Sequence, residues 1–175
     1  MKLYKGFTDQ IEYVAYTAIE YVPVEEWAKI QVVCKNVNMT TECFCMYWLK
    51  GQAEFEDYFE PDEYLEEEDT IREMLDDIKL AMSHQTPEEG SWLCATVNIS
   101  PDGSYDYAFD YDEEPEFEDE FLDDEDWLKE WEYFPRTRQY MPDWWLTIME
   151  RNGMEVGDTL PPDAIGPAPE PPLSS

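Results

Sequence analysis

The residues of this chain that could do chemistry are overwhelmingly carboxylates: 43 Asp and Glu against 11 Lys and Arg, with one histidine and four cysteines. Carboxylates can hold calcium, act as an acid/base pair or present a charged face to a partner, and their spacing discriminates among the three. A calcium loop of the EF-hand type needs oxygen ligands at alternate positions, glycine at the sixth and a bidentate glutamate at the twelfth. Neither 102–113 nor 112–123 keeps that register, so weak cation binding is expected and a dedicated metal site is not. Acid/base catalysis needs a positioned group with a perturbed pKa, and among carboxylates this dense no pair stands out. The chain has no Gly-rich phosphate loop, no G-x-S-x-G elbow and no H-E-x-x-H pair. No catalytic residue, no cofactor and no enzymatic activity are therefore expected.

What remains is a charged face. Asp110, Asp112, Glu113, Glu114, Glu116, Glu118, Asp119 and Glu120 run almost without a break, and Phe117 and Phe121 interrupt them. Aromatic anchors supply desolvated contact energy while surrounding charge steers encounter and selects the partner. These ten residues are the expected partner-binding set. A related mixture runs from Glu54 to Asp69, with Phe55, Tyr58, Phe59 and Tyr64 among the acids. A formal net charge of -32 would suit a disordered tail, yet 43% of residues are hydrophobic and 15% aromatic, enough to build a core. A folded chain that keeps so much self-repelling charge points to a basic protein partner. Nucleic acid and anionic membrane surfaces would be repelled, and no signal-like or membrane-spanning run is present, so a cytoplasmic protein is expected.

Cys34, Cys43, Cys45 and Cys94 lie in apolar stretches and form no C-x-x-C pair, while His84 is far from the first three. Zinc sites present paired ligands at short spacings. Buried free thiols in a reducing compartment are the expectation.

The elements that must position the acidic run follow from hydrophobic periodicity. Ile11, Val14, Ala15, Ala18, Ile19 and Val22 recur at helical spacing until Pro23. Ala28, Ile30, Val32 and Cys34 alternate against Lys29, Gln31 and Lys35, a half-buried strand. Residues 36–41 turn the chain into a second strand, 42–49, with Phe44, Met46 and Trp48 on one face, and 53–59 could add a short third strand. Thr70 with Glu73 forms a capping box before the stripe Ile71, Met74, Leu75, Ile78 and Met82. Strands over 91–100 and 104–111 are joined by Pro101-Asp102-Gly103 as a hairpin, with Tyr105, Tyr107, Phe109 and Tyr111 on one face. A helix carrying Trp127, Leu128, Trp131 and Phe134 follows the acidic run, and a short one opens at Pro142. The predicted architecture is α+β, an antiparallel sheet of four to five strands packed by helices in the order α-β-β-(β)-α-β-β-α. Residues 1–152 form the single acidic domain, and 153–175 a Pro-rich disordered or polyproline tail.

That order of elements resembles the YezG-type immunity proteins. The features that carry the resemblance are Pro23-Val24-Glu25-Glu26-Trp27 before the first strand, Gly90-Ser91-Trp92 before the hairpin and Asp102-Gly103-Ser104 at its turn. Phe109-Asp110-Tyr111-Asp112 and then Pro135-Arg136-Thr137-Arg138-Gln139-Tyr140, leading to Trp144 or Trp145, complete them across 8–150. The resemblance implies an antitoxin of interbacterial competition that binds and neutralises a cognate secreted toxin, often a nuclease, in the producing cell's cytoplasm. The acidic run at 112–126 and the Pro-rich tail depart from the pattern. Two other classes stay open: a DNA-mimic inhibitor of a DNA-binding protein, which requires charge spaced along an elongated surface, and an acidic cation-binding protein, which predicts a structural change on adding calcium.

Overall fold

The computed structural model describes residues 8–58, 71–118 and 120–163. Alternation over Lys29–Val37 (β1) puts Ile30, Val32 and Cys34 on one face, each wholly buried, and makes β1 the central strand. It pairs antiparallel with Thr40–Trp48 (β2) on one side and with Cys94–Ile99 (β4) on the other. Phe55–Tyr58 (β3) and Tyr105–Asp110 (β5) close the edges, giving the order β3-β2-β1-β4-β5. Every pairing is antiparallel. The optional third strand is therefore present, and the predicted α+β architecture is the one observed.

Thr8–Tyr21 (α1) and Ile71–Gln85 (α2) cover the face that carries Ile30, Val32, Ala95 and Val97. In α2 the buried stripe is Ile71, Leu75, Ile78 and Met82, with Lys79 buried among them. Thr70, the expected cap of α2, lies outside the described residues, as do Phe59 and Tyr64. Phe44, Met46 and Trp48 do share a face, but it is the one turned away from α1 and α2. Cys43, Cys45 and Tyr47 point into the core instead. Tyr105, Tyr107, Phe109 and Tyr111 pack against that same core, as their spacing implies.

A second core sits at the end of the sheet, where Val37 and Leu93 meet Asp124–Tyr133 (α3) and Asp143–Arg151 (α4). Two short helices hold there because Trp127, Trp131 and Trp145 are buried between them; an aromatic side chain of this kind buries roughly 150–250 Å². Val156 is buried in this core and the Gly157 carbonyl accepts from the Arg138 amide at 2.9 Å, so the folded body runs past the boundary expected after Asn152. No helix among the described residues is long and apolar enough to cross a membrane.

The cysteines require a correction. Cys34 and Cys43 face each other across β1 and β2, with Cα atoms 4.2 Å apart, and are joined as a disulfide. Cys45, buried, and Cys94, half-buried, stand outside any disulfide. The pairing follows from the turn. Asn38 and Met39 both have positive φ, 46° and 66°, making a two-residue type I′ connection whose register sets Cys34 opposite Cys43.

Candidate partner-binding surface

β5 delivers the chain to the acidic segment, and a set of polar anchors holds its backbone. The Asp110 carboxylate accepts the amides of Asp112 at 2.9 Å and Glu113 at 3.0 Å, so the first expected binding carboxylate is used to turn the chain. Arg136 Nη1 donates to the Tyr111 carbonyl, and Trp144 Nε1 donates to the Asp112 carbonyl at 2.7 Å. Further along, Lys35 Nζ donates to the Glu116 carbonyl, and the Glu42 carboxylate accepts the Glu118 amide at 2.9 and 3.1 Å. Phe117 tucks against the second core with the Lys35 ammonium 5.9 Å from its ring centre, so it secures the segment.

The side chains fare differently from the backbone. Asp112, Glu113, Glu114, Glu116, Glu118 and Glu120 are exposed. Asp119 lies outside the described residues. Phe121 is 93% exposed, the most exposed large apolar side chain described. Among the described residues, the ion pairs engage Glu42, Asp124, Glu125, Glu130 and Glu150, and none engages a carboxylate between 112 and 120. The result is a tethered main chain presenting unpaired negative charge.

The last acids of the run, 123–126, serve the fold. Asp123 caps α3 by accepting the amides of Glu125 and Asp126, and Asp126 returns the contact to the Asp123 amide. Asp124 binds Arg151 and Asn152 of the α4 end, which holds its carboxyl at about 2, well below the usual carboxylate value. Glu125 pairs with Lys129 at 2.8 Å. Negative charge in the first turn of α3 also meets the positive end of the helix dipole. The acidic run of 112–126 therefore divides near Leu122.

Two buried cations hold this arrangement, and sequence reasoning singled out neither for such a role. Arg136 is 1% exposed and ties three strands of chain together through the carbonyls of Tyr111, Ser91 and Tyr140; burial lowers its pKa to about 10. Gly90 makes room for it: a Cβ there, at φ +69°, would stand 2.5 Å from Arg136 Cγ. Lys79 donates to Asn36 O, Asn36 Oδ1 and Glu130 Oε1 at 2.6, 2.7 and 2.6 Å, and Glu130 Oε2 accepts the Asn38 amide at 2.7 Å. Burial pushes the Lys79 pKa down while Glu130 pulls it back up. This network locks α2, β1, the β1–β2 turn and α3 to one another. Its signal was a lysine lying between Leu75 and Met82 at helical spacing, inside an apolar stripe.

The motif Asp102-Gly103-Ser104 serves the hairpin turn: Ser104 N and Oγ donate to Asp102 Oδ1 at 2.9 and 2.6 Å. A scan of the sequence against models of known protein families finds no match, and a search of curated proteins finds none either.

Proposed function

We propose that this chain is an immunity protein that binds a basic toxin domain, a nuclease above all, and blocks it stoichiometrically with the acidic surface of residues 110–121. The observation that carries this reading is the contrast within the segment. Its backbone is tied down by Lys35, Glu42, Arg136 and Trp144 while the carboxylates of Asp112, Glu113, Glu114, Glu116, Glu118 and Glu120 stay exposed and outside the ion pairs. Charge on a pre-ordered support loses little entropy on binding. A nuclease must attract phosphate, so its cleft offers the complementary field. Inhibition without turnover suits a surface of this kind, and no enzymatic step is proposed for the chain. The experiment is a titration of a candidate basic toxin domain with this chain: activity should fall linearly to an equivalence point at equal amounts. Loss of activity at strongly substoichiometric amounts would overturn the reading.

The proposed site of action is the producing cell's cytoplasm, and the Cys34–Cys43 bond bears on it, since disulfides persist mainly in oxidising compartments. Thiol titration of unfolded protein, alkylated at the moment of lysis, separates the states. Two alkylated cysteines, Cys45 and Cys94, mean that the bridge survives there, and four mean that the chain works reduced.

A further inference from the structure

β5 is the last strand of the sheet on its side, and its outer main-chain edge is open among the described residues. The carbonyls of Ser104 and Asp110 accept the amides of Ser100 and Leu93 at 2.8 and 2.7 Å, so the even-numbered residues of this strand turn their main chain toward β4. In an antiparallel pair the N–H and C=O of one residue point to the same side, and successive residues alternate. Tyr107 and Phe109 therefore turn theirs outward, and no hydrogen bond among the described residues engages those groups. Folded proteins blunt such an edge with proline, lysine or a bulge, because it is a template for another strand. β5 has none of the three: it reads Tyr-Asp-Tyr-Ala-Phe-Asp, and its register against β4 runs unbroken from Tyr105 to Asp110.

The side chains of β5 indicate what kind of strand fits. Successive side chains point to opposite faces, and directly opposed residues of neighbouring strands share a face. On the core face Tyr107 and Phe109 are half-buried, with ring centres 5.7 Å apart, so apolar side chains set beside them would complete their burial. Asp106, Ala108 and Asp110 stand on the other face. Asp106 accepts Asn98 Nδ2 at 2.8 Å and Asp110 accepts the two amides that turn the chain, but no ion pair among the described residues engages either. Nearby cations are distant or spent: Lys35 lies two strands inward beside Glu42, and Arg136 is buried with its Nη groups on carbonyls. The α1 helix, which packs over β4, contains no lysine or arginine. In an antiparallel pair of copies that sets Tyr107 opposite Phe109, Asp106 of each would fall opposite Asp110 of the other, and like charges so placed are destabilising. The charge of this edge thus disfavours a second copy and favours a basic strand.

We propose that the β5 edge takes an extended segment of the same basic protein that the acidic segment attracts, a strand in which apolar and basic residues alternate. Its apolar side chains lie beside Tyr107 and Phe109, its basic ones face Asp106 and Asp110, and its main chain pairs with the outward groups of Tyr107 and Phe109. That the partner is a basic protein rests on the function proposed above; the strand form and its alternation rest on the edge. Main-chain pairing supplies affinity and the alternating side chains supply specificity. β5 runs directly into 112–120, so the exposed carboxylates there steer the same strand toward the edge.

The test uses the full chain and three short peptides, followed by amide NMR and hydrogen exchange. The first is N-acetyl-Arg-Val-Lys-Val-Arg amide. The second is the same peptide N-methylated at both valines, whose N–H groups would face β5, and the third has the same composition in the order Arg-Lys-Arg-Val-Val. In the free protein the Tyr107 and Phe109 amides should exchange faster than those of Asp106 and Ala108, and the first peptide should shift them saturably and slow their exchange. The second should bind at least about tenfold more weakly for the lost hydrogen bonds, and the third should leave both amides unprotected. Ala108→Lys puts a cation between Asp106 and Asp110 at an exposed position, and should weaken the first peptide about threefold or more without lowering the melting temperature. Exchange at Tyr107 and Phe109 as slow as at Ala108 in the free monomer would overturn the proposal, because the chain would then cover its own edge. Equal binding of the second or third peptide, or shifts confined to 112–120, would overturn it and leave the acidic surface standing. A dimer in sedimentation that protects the same two amides would assign the edge to a second copy instead. Protection by the first peptide alone, beside failure of the toxin titration, would keep the edge and remove the immunity reading.

Discussion

Residues 112–120 and 123–126 are both dense in acids, lie only two residues apart in sequence, and are put to opposite uses. In the second group each carboxylate has a partner: Asp123 and Asp126 close the α3 cap, Asp124 holds Arg151 and Asn152, and Glu125 holds Lys129. In the first group the partners go to the backbone, through Lys35, Trp144 and Glu42, and the described carboxylates are left to solvent. Composition cannot separate the two. What separates them is whether a helix terminus or a nearby cation offers the carboxylate something better than water. An acidic run is therefore a docking candidate only where the fold withholds such partners.

The comparison can be broken by neutralising acids along a gradient of engagement. The largest effect belongs to the buried extreme. Glu130→Gln strands the Lys79 ammonium, and removing one partner of a buried pair typically costs about 3–5 kcal/mol, so urea denaturation should show a severe loss or no folded protein. Replacing both, Lys79→Met with Glu130→Leu, should recover most of that stability. Next comes Asp123→Ala, which removes the α3 cap and should cost about 1 kcal/mol, read from the same denaturation midpoint. Asp124 tests the acid limb. Its folded pKa, about 2, is depressed from 3.8, so the stability it contributes is fully present above pH 4 and is lost as pH falls from 3.8 through 2. Asp124→Asn should flatten the fall in melting temperature across that window and leave neutral pH behaviour to the lost Arg151 contact. Smallest of all, Glu116→Gln and Glu118→Gln should change stability by less than about 0.5 kcal/mol, as expected of surface positions.

The fold was legible where one period dominated. Alternation through Ile30, Val32 and Cys34 and the stripe Ile71, Leu75, Ile78 and Met82 identify β1 and α2, and both are present. The acidic segment was legible as charge, and Asp112, Glu113, Glu114, Glu116, Glu118 and Glu120 are exposed. The remainder was hidden for physical reasons. A turn placed broadly over 36–41 leaves the register open, and only the two-residue turn at Asn38 and Met39 puts Cys34 against Cys43. The roles of Arg136 and Lys79 stayed hidden because burial of a charge depends on carbonyls and carboxylates brought from distant parts of the chain, such as Ser91, Tyr111 and Glu130. Phe117 and Phe121 look alike in sequence, but one is held by the second core and the other stands in solvent. Val156 gave no sign of joining the core from within a Pro-rich context.

The central claim is that charge on the tethered segment governs recognition more than charge elsewhere, and one measurement addresses it directly. Glu113, Glu114, Glu116 and Glu118 are changed together to Gln in one variant, and Glu155, Asp158, Asp163 and Glu170 to the matching amides in another, so that net charge changes equally. Association rates with the basic toxin domain proposed as partner are then compared at low and physiological ionic strength. The account predicts that the first variant loses about tenfold or more in on-rate at low salt, with a flattened salt dependence, while the second stays close to the parent. Equal losses from the two variants would contradict it and reduce recognition to a diffuse attraction by net charge.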